Sequence, residues 1–274
     1  MTPLLKTRLS VDYPNKPDVL RDVELEIGEG EILGLVGESG SGKSTIALAL
    51  LRLLDHKGAL IRGEILFHGW DLLRLRASDM RRIRGREIAL VLQSPLASLN
   101  PALRIGTQIA EAWRAHSPGA AKQWKDRAFE LFELVSLPAG EEFLQRFPRQ
   151  LSVGQAQRVL IAMAVLHRPR LLIADEATSA LDAITQSEIL ALFRDLNRKL
   201  NMAMLFISHD LLSVASLCSR IAILQQGRII ECGATEQMFR DPRTEDTRAL
   251  LNAVMRNPFV SEPAAALLAA NERE

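Results

Sequence analysis

The sequence GESGSGKS, residues 37–44, decides the fold of this chain because it fits the pattern G-x-x-x-x-G-K-[ST]. An apolar run at residues 31–36 precedes it and another at residues 46–54 follows, which predicts a buried strand, a loop and a helix. A chain of this length matches the pattern by chance about once in a hundred times. A plain glycine- and serine-rich turn would explain the glycines but not Lys43 and Ser44 at that place.

Such a loop binds phosphate groups through its backbone. Glycines let consecutive N–H groups turn inward around phosphate oxygens, because no Cβ stands in the way. The following helix points the positive end of its dipole at the same place. Lys43 supplies a charge for the β- and γ-phosphates, and the Ser44 hydroxyl is a candidate ligand for Mg²⁺. The candidate phosphate-binding residues are Gly37, Ser39, Gly40, Ser41, Gly42, Lys43, Ser44 and Thr45.

A further apolar run, residues 171–174, ends in two carboxylates, Asp175 and Glu176. Asp175 is a candidate ligand for Mg²⁺, and Glu176 is a candidate general base that orients a water on the γ-phosphate. Taken alone, the pair would more simply be a solvated strand end or a helix N-cap. The phosphate loop upstream favours the catalytic interpretation.

Two more polar residues follow predicted strands. Residues 203–208 form an apolar run that leads to His209, and residues 87–92 lead to Gln93. Ligands of open α/β sheets bind at the carboxyl ends of the strands. We therefore expect His209 beside the γ-phosphate and Gln93 near Mg²⁺ or the attacking water. A lone histidine is more often a structural group, and a lone glutamine is more often a surface residue. Both roles are therefore supported only by the combination with the phosphate loop and the acidic pair.

The composition is that of an ordinary globular protein, with 274 residues, 47% hydrophobic and 24% charged. The 34 basic and 33 acidic residues leave a formal net charge of +1, so charge does not drive binding to nucleic acid or an anionic membrane. Two cysteines and five scattered histidines argue against a disulfide framework and a metal cage. Because the sequence shows no membrane-spanning run and no signal peptide, we expect a soluble, cytoplasmic protein.

Strand and helix patterns alternate along most of the chain, which indicates an α/β fold. Residues 20–27 alternate apolar and polar side chains, as in a half-buried antiparallel strand. Residues 220–231 predict a hairpin that turns at Gln225, Gln226 and Gly227. The one helical face predicted in detail consists of Trp124, Ala128, Leu131 and Val135.

We predict a P-loop (RecA-like) core with a mainly parallel sheet, an antiparallel β subdomain and an inserted α-helical subdomain. The core comprises residues 1–93 and 169–240 in this prediction. The helical subdomain comprises residues 94–168, where the pattern is helical and punctuated by prolines. A C-terminal helical tail is predicted for residues 241–274.

The stretch LSVGQ, residues 151–155, resembles the signature of the ATP-binding cassette (ABC) ATPases. The phosphate loop, the signature, the acidic pair and the histidine follow in the family's order. The resemblance implies two cassettes that hold two ATP molecules between them, head to tail. Ser152, Gly154 and Gln155, at the start of an apolar helix predicted for residues 156–166, would cap ATP bound to the partner. Asp182 would lie in the loop that links the two sites.

Tyr13, the one tyrosine of the chain, occupies the place of the aromatic residue that stacks on adenine in this family. An ordinary half-buried strand aromatic explains it equally well. Both interpretations stay open.

Local features are similar to the cassettes of bacterial oligopeptide, dipeptide and nickel importers: SLNP at residues 98–101, LIAM at 160–163 and the tail pattern at 241–251. The resemblance implies an ATPase that uses ATP and Mg²⁺ at the cytoplasmic face of the inner membrane. Its partners would be a second cassette, identical or paralogous, two transmembrane permeases and, indirectly, an extracytoplasmic solute-binding protein. Residues 95–108 would receive the permeases. No nucleic-acid partner is expected.

Two positions depart from the family pattern. Val153 stands where glycine is usual, and we expect this stiffer, bulkier residue to weaken capping of the partner's ATP. We hypothesise that it marks an unequal pair of cassettes. Ala177 stands where proline is usual, which would remove a rigid turn. Cys218 and Cys232 are predicted to be small core residues, because the cysteine-bearing extension of some peptide-importer cassettes is not evident.

The main alternative is an accessory ABC-type ATPase of a soluble enzyme complex such as one that degrades phosphonates. Such proteins resemble peptide-importer cassettes, and nothing in the sequence excludes this function. A regulator that binds ATP without turnover is disfavoured by Glu176. Chromosome-maintenance members are disfavoured because the stretch between loop and signature is short and has no heptads. Translation-factor members are disfavoured because this chain has a single cassette, and repair members because it lacks zinc cysteines.

Overall fold

The computed structural model describes residues 2–117 and 123–255. The chain divides into two compact units, one of residues 1–75 and 205–274 and the other of residues 76–204. The predicted C-terminal tail is described only to residue 255, and its remainder, 256–274, lies outside the described residues. In the described part of the chain, no helix combines the length and the apolar character needed to cross a membrane.

The first unit holds most of the strands. Its strands are β1 (Leu5–Tyr13), β2 (Lys16–Ile27), β3 (Ile32–Val36), β4 (Leu60–Phe67), β5 (Trp70–Asp71), β9 (Arg220–Gln225), β10 (Arg228–Ala234) and, from residue 205 onward, β8 (Ala203–Ser208). Its helices are α1 (Lys43–Leu50), α9 (Leu211–Leu217), α10 (Thr235–Arg240) and α11 (Glu245–Met255). One sheet has the order β2-β1-β4-β5, and the other runs β10-β9-β3-β8 within this unit.

The antiparallel sheet confirms the predicted strand at residues 20–27. In β2 the side chains of Leu20, Val23, Leu25 and Ile27 are buried and those between them are mostly exposed. β2 pairs antiparallel with β1 along its whole length. β3 is buried at every position and pairs parallel with β9, as expected of a central strand.

The hairpin β9–β10 also confirms its prediction. Its two-residue loop consists of Gln226 and Gly227, both with positive φ (46° and 77°), as a tight turn between right-twisted strands requires. A Cβ on Gly227 would lie 2.4 Å from the carbonyl oxygen of Val19. The turn therefore packs against β2, and the N–H of Arg21 donates to the Gly227 carbonyl at 2.8 Å.

Helix α1 begins directly after the phosphate loop but ends earlier than the predicted run to residue 54. Arg52 adopts a left-handed φ of 50°. The N–H of Arg52 donates to Ala49 and that of Leu53 to Leu48, both at 2.9 Å. This pair of bonds closes the last turn and satisfies carbonyls at the helix end. Apolar residues continue beyond the helix because they enter the core as a loop.

The second unit is mainly helical. Its strands are β6 (Ile88–Val91) and β7 (Leu171–Asp175). Its helices are α2 (Ala77–Ile83), α3 (Pro95–Ser98), α4 (Ile105–Arg114), α5 (Trp124–Leu134), α6 (Glu141–Leu144), α7 (Val153–Ala164) and α8 (Ala183–Leu200). β6 and β7 are parallel neighbours. In α5, Ala128 and Leu131 are buried and the face continues to buried Val135, as the periodicity predicts.

The compact units divide at residues 75/76 and 204/205, whereas the predicted boundaries lie at 93/94 and 168/169. β6 and β7 pair with each other, and α7 packs on β6, so these two strands fall in the same unit as the helices. The functional division into core and helical subdomain stays a prediction.

The two cysteines are free and differ in their environment. Cys218 is buried, and burial raises the pKa of its thiol, as expected of a small core residue. Cys232 is exposed, so the prediction of a core position is wrong for this residue. It lies on β10, an edge strand with one face towards solvent. On such a strand, apolar neighbours in the sequence do not show whether a residue is buried.

A buried carboxylate anchors the start of the C-terminal helix. Glu231 on β10 accepts hydrogen bonds from the backbone N–H groups of Arg243 (3.0 Å) and Thr244 (3.1 Å). Burial acts to raise the pKa of Glu231, but these donors and the hydroxyls of Thr244 and Thr247 outweigh it, so the pKa lies below its usual value. The ionised carboxylate thus links the hairpin to the segment that leads into α11.

We expect Glu231→Gln to destabilise the protein at pH 7 by about 2 kcal/mol, because the amide replaces a charged acceptor of several hydrogen bonds. Since the folded pKa is depressed, the stabilisation is present above the unfolded value of 4.5 and is lost as the pH falls through the folded pKa. Urea unfolding at several pH values checks this. The matched control is Glu236→Gln, which removes an exposed ion pair with Arg240 and should change little. An equal loss in both variants would contradict the role of Glu231.

Candidate functional site

The phosphate loop joins the buried strand β3 to α1 in the first unit. A Cβ on Gly37 would lie only 2.1 Å from the carbonyl oxygen of Leu224. Gly42 has a φ of 113°, and a Cβ there would lie 2.6 Å from a side-chain carbon of Leu20. Glycine is therefore required at both positions, for space and, at Gly42, for conformation.

Lys43 and Ser41 are buried inside the loop, with 7% and 9% of their surface exposed. The Lys43 ammonium donates to the carbonyls of Gly37 at 2.8 Å and of Glu38 at 3.0 Å. The buried Ser41 hydroxyl has no hydrogen-bond partner among the described residues. A buried, unpartnered hydroxyl and a buried ammonium in one loop before a helix fit a phosphate group, which supplies acceptor oxygens for both.

The remaining loop residues are more open. Ser39, Gly40 and Ser44 are exposed, and Thr45 is half-buried. Gly40 has a φ of 79° with open space around it, so conformation rather than crowding favours glycine there. Tyr13 ends β1 and is half-buried opposite Lys16. This position is compatible with either interpretation of the tyrosine.

One wall of the loop comes from the hairpin β9–β10, which the sequence did not connect with it. The N–H of Gly227 donates to the carbonyl of Ser41 at 3.2 Å, and Leu224 lies against Gly37. The only local signal was the predicted turn itself, which says nothing about what the turn contacts.

His209 follows β8, which neighbours β3 in the strand order of this unit. Its side chain is exposed. The next residue, Asp210, caps α9 by accepting the N–H of Leu212 at 3.0 Å. The strand end and the helix cap together hold the backbone on both sides of His209.

The acidic pair ends β7 in the second unit. All five residues of β7 are buried, including Asp175, and Glu176 is half-buried with a left-handed φ of 51°. In the parallel pairing Val91 lies opposite Ala174, so Gln93 and Asp175 both lie at the carboxyl-terminal edge of this strand pair. Gln93 is exposed.

A tight turn follows Glu176 even though Ala177 replaces the usual proline. The Glu176 carbonyl accepts the N–H of Ser179 at 3.2 Å and its hydroxyl at 3.0 Å. Ala177 is buried within the turn. Hydrogen bonds hold the turn, so the expectation that the alanine removes a rigid turn is wrong.

The signature forms the first turn of α7, three residues before the predicted helix start at residue 156. The Ser152 hydroxyl accepts the N–H of Gln155 at 3.1 Å, and the Gln155 side chain accepts the N–H of Ser152 at 3.2 Å. This capping box was readable from the S-x-x-Q spacing. Val153 sits in this turn with 39% of its surface exposed, and Gly154 lies inside the helix. The valine is thus accommodated at the helix start by pointing outward.

Asp182 caps α8. Its carboxylate accepts the Thr185 N–H at 3.0 Å and the Thr185 hydroxyl at 2.8 Å. The hydrogen bond from the Thr185 backbone, followed by that from its side chain, lowers the pKa of Asp182 below its usual range. Asp182 therefore has a structural role in this chain besides the one that the resemblance implies.

Gln108 is a residue whose role the sequence did not reveal. It is buried, and its amide donates to the carbonyls of Asn100 and Leu103, each at 3.1 Å, and accepts the Asn100 N–H at 2.9 Å. These bonds fix the SLNP loop against α4. Gln108 therefore shapes the surface predicted for permeases and is not itself on it.

The candidate metal ligands suit Mg²⁺. The described residues contain no group of three or more His, Cys, Asp or Glu side chains that would hold a metal by themselves. Ser44, Gln93 and Asp175 offer hydroxyl, amide and carboxylate oxygens. Hard oxygen donors in small number, completed by substrate phosphates, are the usual environment of Mg²⁺.

Comparison with known proteins identifies the family of the chain. The family model described as ABC transporter matches residues 20–179. The chain is 42% identical over 249 residues to the dipeptide transport ATP-binding protein DppD of Haemophilus influenzae, covering 90% of this chain and 76% of that protein. It is 43% identical to the oligopeptide transport ATP-binding protein OppD of Bacillus subtilis, covering 87% and 67%. Matches to the glutathione import ATP-binding protein GsiA of Salmonella typhimurium reach 42% but span 39% of that protein.

Solved structures show the same fold. A dimeric, post-hydrolysis ATP-binding cassette, MJ0796, bound to ADP and Pi is 29% identical with a TM-score of 0.73, covering 84% of this chain and 98% of that one. cbiO1 of Clostridium perfringens, part of the ABC transporter complex cbiONQ, is 23% identical with a TM-score of 0.75, covering 96% and 98%. With the phosphate loop, the acidic strand end and the capped signature all in place, the chain belongs to the ABC transporter family of ATP-binding cassettes.

Proposed function

We propose that the chain is the ATP-hydrolysing subunit of an ABC importer for peptides or related small solutes. The observation that carries this proposal is the identity of 42–43% to ATP-binding subunits named for dipeptide and oligopeptide transport. The match to DppD covers 90% of this chain and includes the signature and the SLNP loop. Nickel transport rests on the resemblance alone.

In this proposal the loop N–H groups and Lys43 bind the phosphates of ATP. Ser44, Gln93 and Asp175 would hold Mg²⁺, which neutralises charge on the phosphate oxygens when bound. Glu176 orients the attacking water and accepts its proton. His209 donates a hydrogen bond to the γ-phosphate.

The signature would act on a second cassette. The first turn of α7 presents its backbone N–H groups, with the Ser152 hydroxyl at its start, which suits an anion. Gly154 and Gln155 belong to the same turn, and Asp182 would lie near the partner's site. Weaker capping through Val153, and with it an unequal cassette pair, stays part of the proposal.

Two transmembrane permeases would dock beside α3. Leu92 and Leu96 there expose 43% and 44% of their surface, which suits an apolar contact with a partner helix. Gln108 and the SLNP loop hold this surface in shape. An extracytoplasmic binding protein would deliver the solute, and the chain would lie at the cytoplasmic face of the membrane.

Isolation of the chain from its native membranes in mild detergent tests the proposal. Two polytopic permeases among the co-purifying proteins would support it, and the associated binding protein would then be screened with dipeptides, oligopeptides and nickel. A soluble enzyme complex without a permease would overturn the importer proposal in favour of an accessory ATPase.

We expect Glu176→Gln to bind ATP normally but to lower turnover at least 100-fold, because the amide cannot accept the proton of the attacking water. The measurement is steady-state phosphate release together with ATP binding. Glu142→Gln is the matched control, because Glu142 is almost fully exposed and should leave turnover unchanged. Retained turnover in Glu176→Gln would remove this residue from the catalytic role.

We expect Lys43→Ala to weaken ATP binding at least tenfold, because it removes the buried ammonium that faces the phosphates. Equilibrium binding of a fluorescent ATP analogue measures this. Lys57→Ala, at an exposed lysine of the same unit, serves as the control. Wild-type affinity in Lys43→Ala would contradict the assignment of the phosphate loop.

A further inference from the structure

Two contacts join the signature helix α7 to α8 inside the second unit. A Cβ on Gly154 would lie 2.9 Å from the Thr185 methyl carbon, so the Thr185 side chain packs directly against the backbone of α7 at this point. One turn further on, the Arg158 guanidinium donates to the Glu188 carboxylate at 2.7 Å. Arg158 also donates to the Val135 carbonyl at the end of α5 at 2.9 Å. The start of the signature helix is thus positioned against α8 and held by a mostly buried arginine.

Thr185 connects this contact with the loop before α8. Its hydroxyl donates to the Asp182 carboxylate, and the N–H of the same residue donates to the other carboxylate oxygen. A threonine side chain has few rotamers, so fixing its hydroxyl on Asp182 also fixes the direction of its methyl group. That methyl group is the atom that faces Gly154. A change at Asp182 is therefore transmitted to the signature through one side chain.

We propose that Thr185 is a positioning residue that sets the first turn of the signature helix relative to Asp182, and thereby controls hydrolysis of ATP held between two cassettes. The inference rests on the proposed function and deepens it. In this proposal Thr185 acts through Gly154 and does not touch ATP itself. The phosphate loop lies in the other compact unit, so we expect the chain alone to bind ATP with the same affinity when this contact is changed.

Two substitutions test the hydroxyl and the methyl group of Thr185 separately. Thr185→Val keeps the methyl group that meets Gly154 and the backbone cap, but removes the hydroxyl bond to Asp182. Thr185→Ser keeps the hydroxyl and removes the methyl group. Gly154→Ala adds a Cβ where the methyl group stands, so Thr185→Ser should make room for it.

The test uses the full chain: kcat and melting temperature are measured for each variant in the complex isolated from its native membranes, and ATP affinity is measured on the chain alone. We expect Thr185→Val to lower kcat about fivefold, the worth of one hydrogen bond, with ATP affinity unchanged. Thr185→Ser, which removes the methyl contact with Gly154, should lower kcat by a similar factor. Gly154→Ala should lower kcat at least tenfold, and the double variant Gly154→Ala, Thr185→Ser should recover most of that loss. Ser187→Ala, at an exposed position of α8, is the control.

Recovery in the double variant, together with a lower kcat at constant affinity in Thr185→Val, would support the inference. Wild-type kcat in Thr185→Val would overturn it, as would equal losses of kcat and affinity, or failure of Thr185→Ser to rescue Gly154→Ala. If the wild-type complex hydrolyses no ATP, the proposed function itself fails. The wild-type measurement therefore distinguishes that outcome from failure of the Thr185 contact alone.

Discussion

Close packing against Gly37 and Gly42 of the phosphate loop is the physical condition that organises the first compact unit. The Leu224 carbonyl and the Leu20 side chain stand where Cβ atoms of Gly37 and Gly42 would lie. The loop can therefore turn its backbone N–H groups inward only with glycine at these positions. Buried β3 holds one end of the loop, and α1 begins at its other end with Lys43 turned back on the loop carbonyls. Backbone and core side chains therefore fix the conformation of the loop.

In the second unit, residues of the family motifs also shape the helices that carry them. Ser152 and Gln155 close a capping box at the start of α7, and Asp182 caps α8 through Thr185. Each cap pairs some of the free N–H groups of its helix. Because these side chains hold the helix starts, they stabilise the chain, and in the proposed function they also shape the surface that meets a second cassette.

The sequence predicted the strands and the order of the motifs well, and the helix ends less well. The strands β3, β7 and β8 are short apolar runs that end in polar residues, a pattern that burial on both faces produces directly. α1 ends four residues before the apolar run does because Arg52 takes a left-handed conformation. The intrinsic backbone preference of arginine does not predict this conformation. Cys232 was misplaced for a related reason, since an edge strand exposes residues that the local pattern does not distinguish.

The phosphate loop, the acidic strand end and the family can be predicted from the sequence alone, because each depends on residues that are adjacent along the chain and on backbone rules that act locally. The folded chain was needed to show that the turn at Gly227 forms a wall of the loop, and that the Thr185 methyl group meets Gly154. These contacts join residues far apart in the chain. They follow from close packing of whole elements, and no local pattern of side chains specifies which atoms will meet.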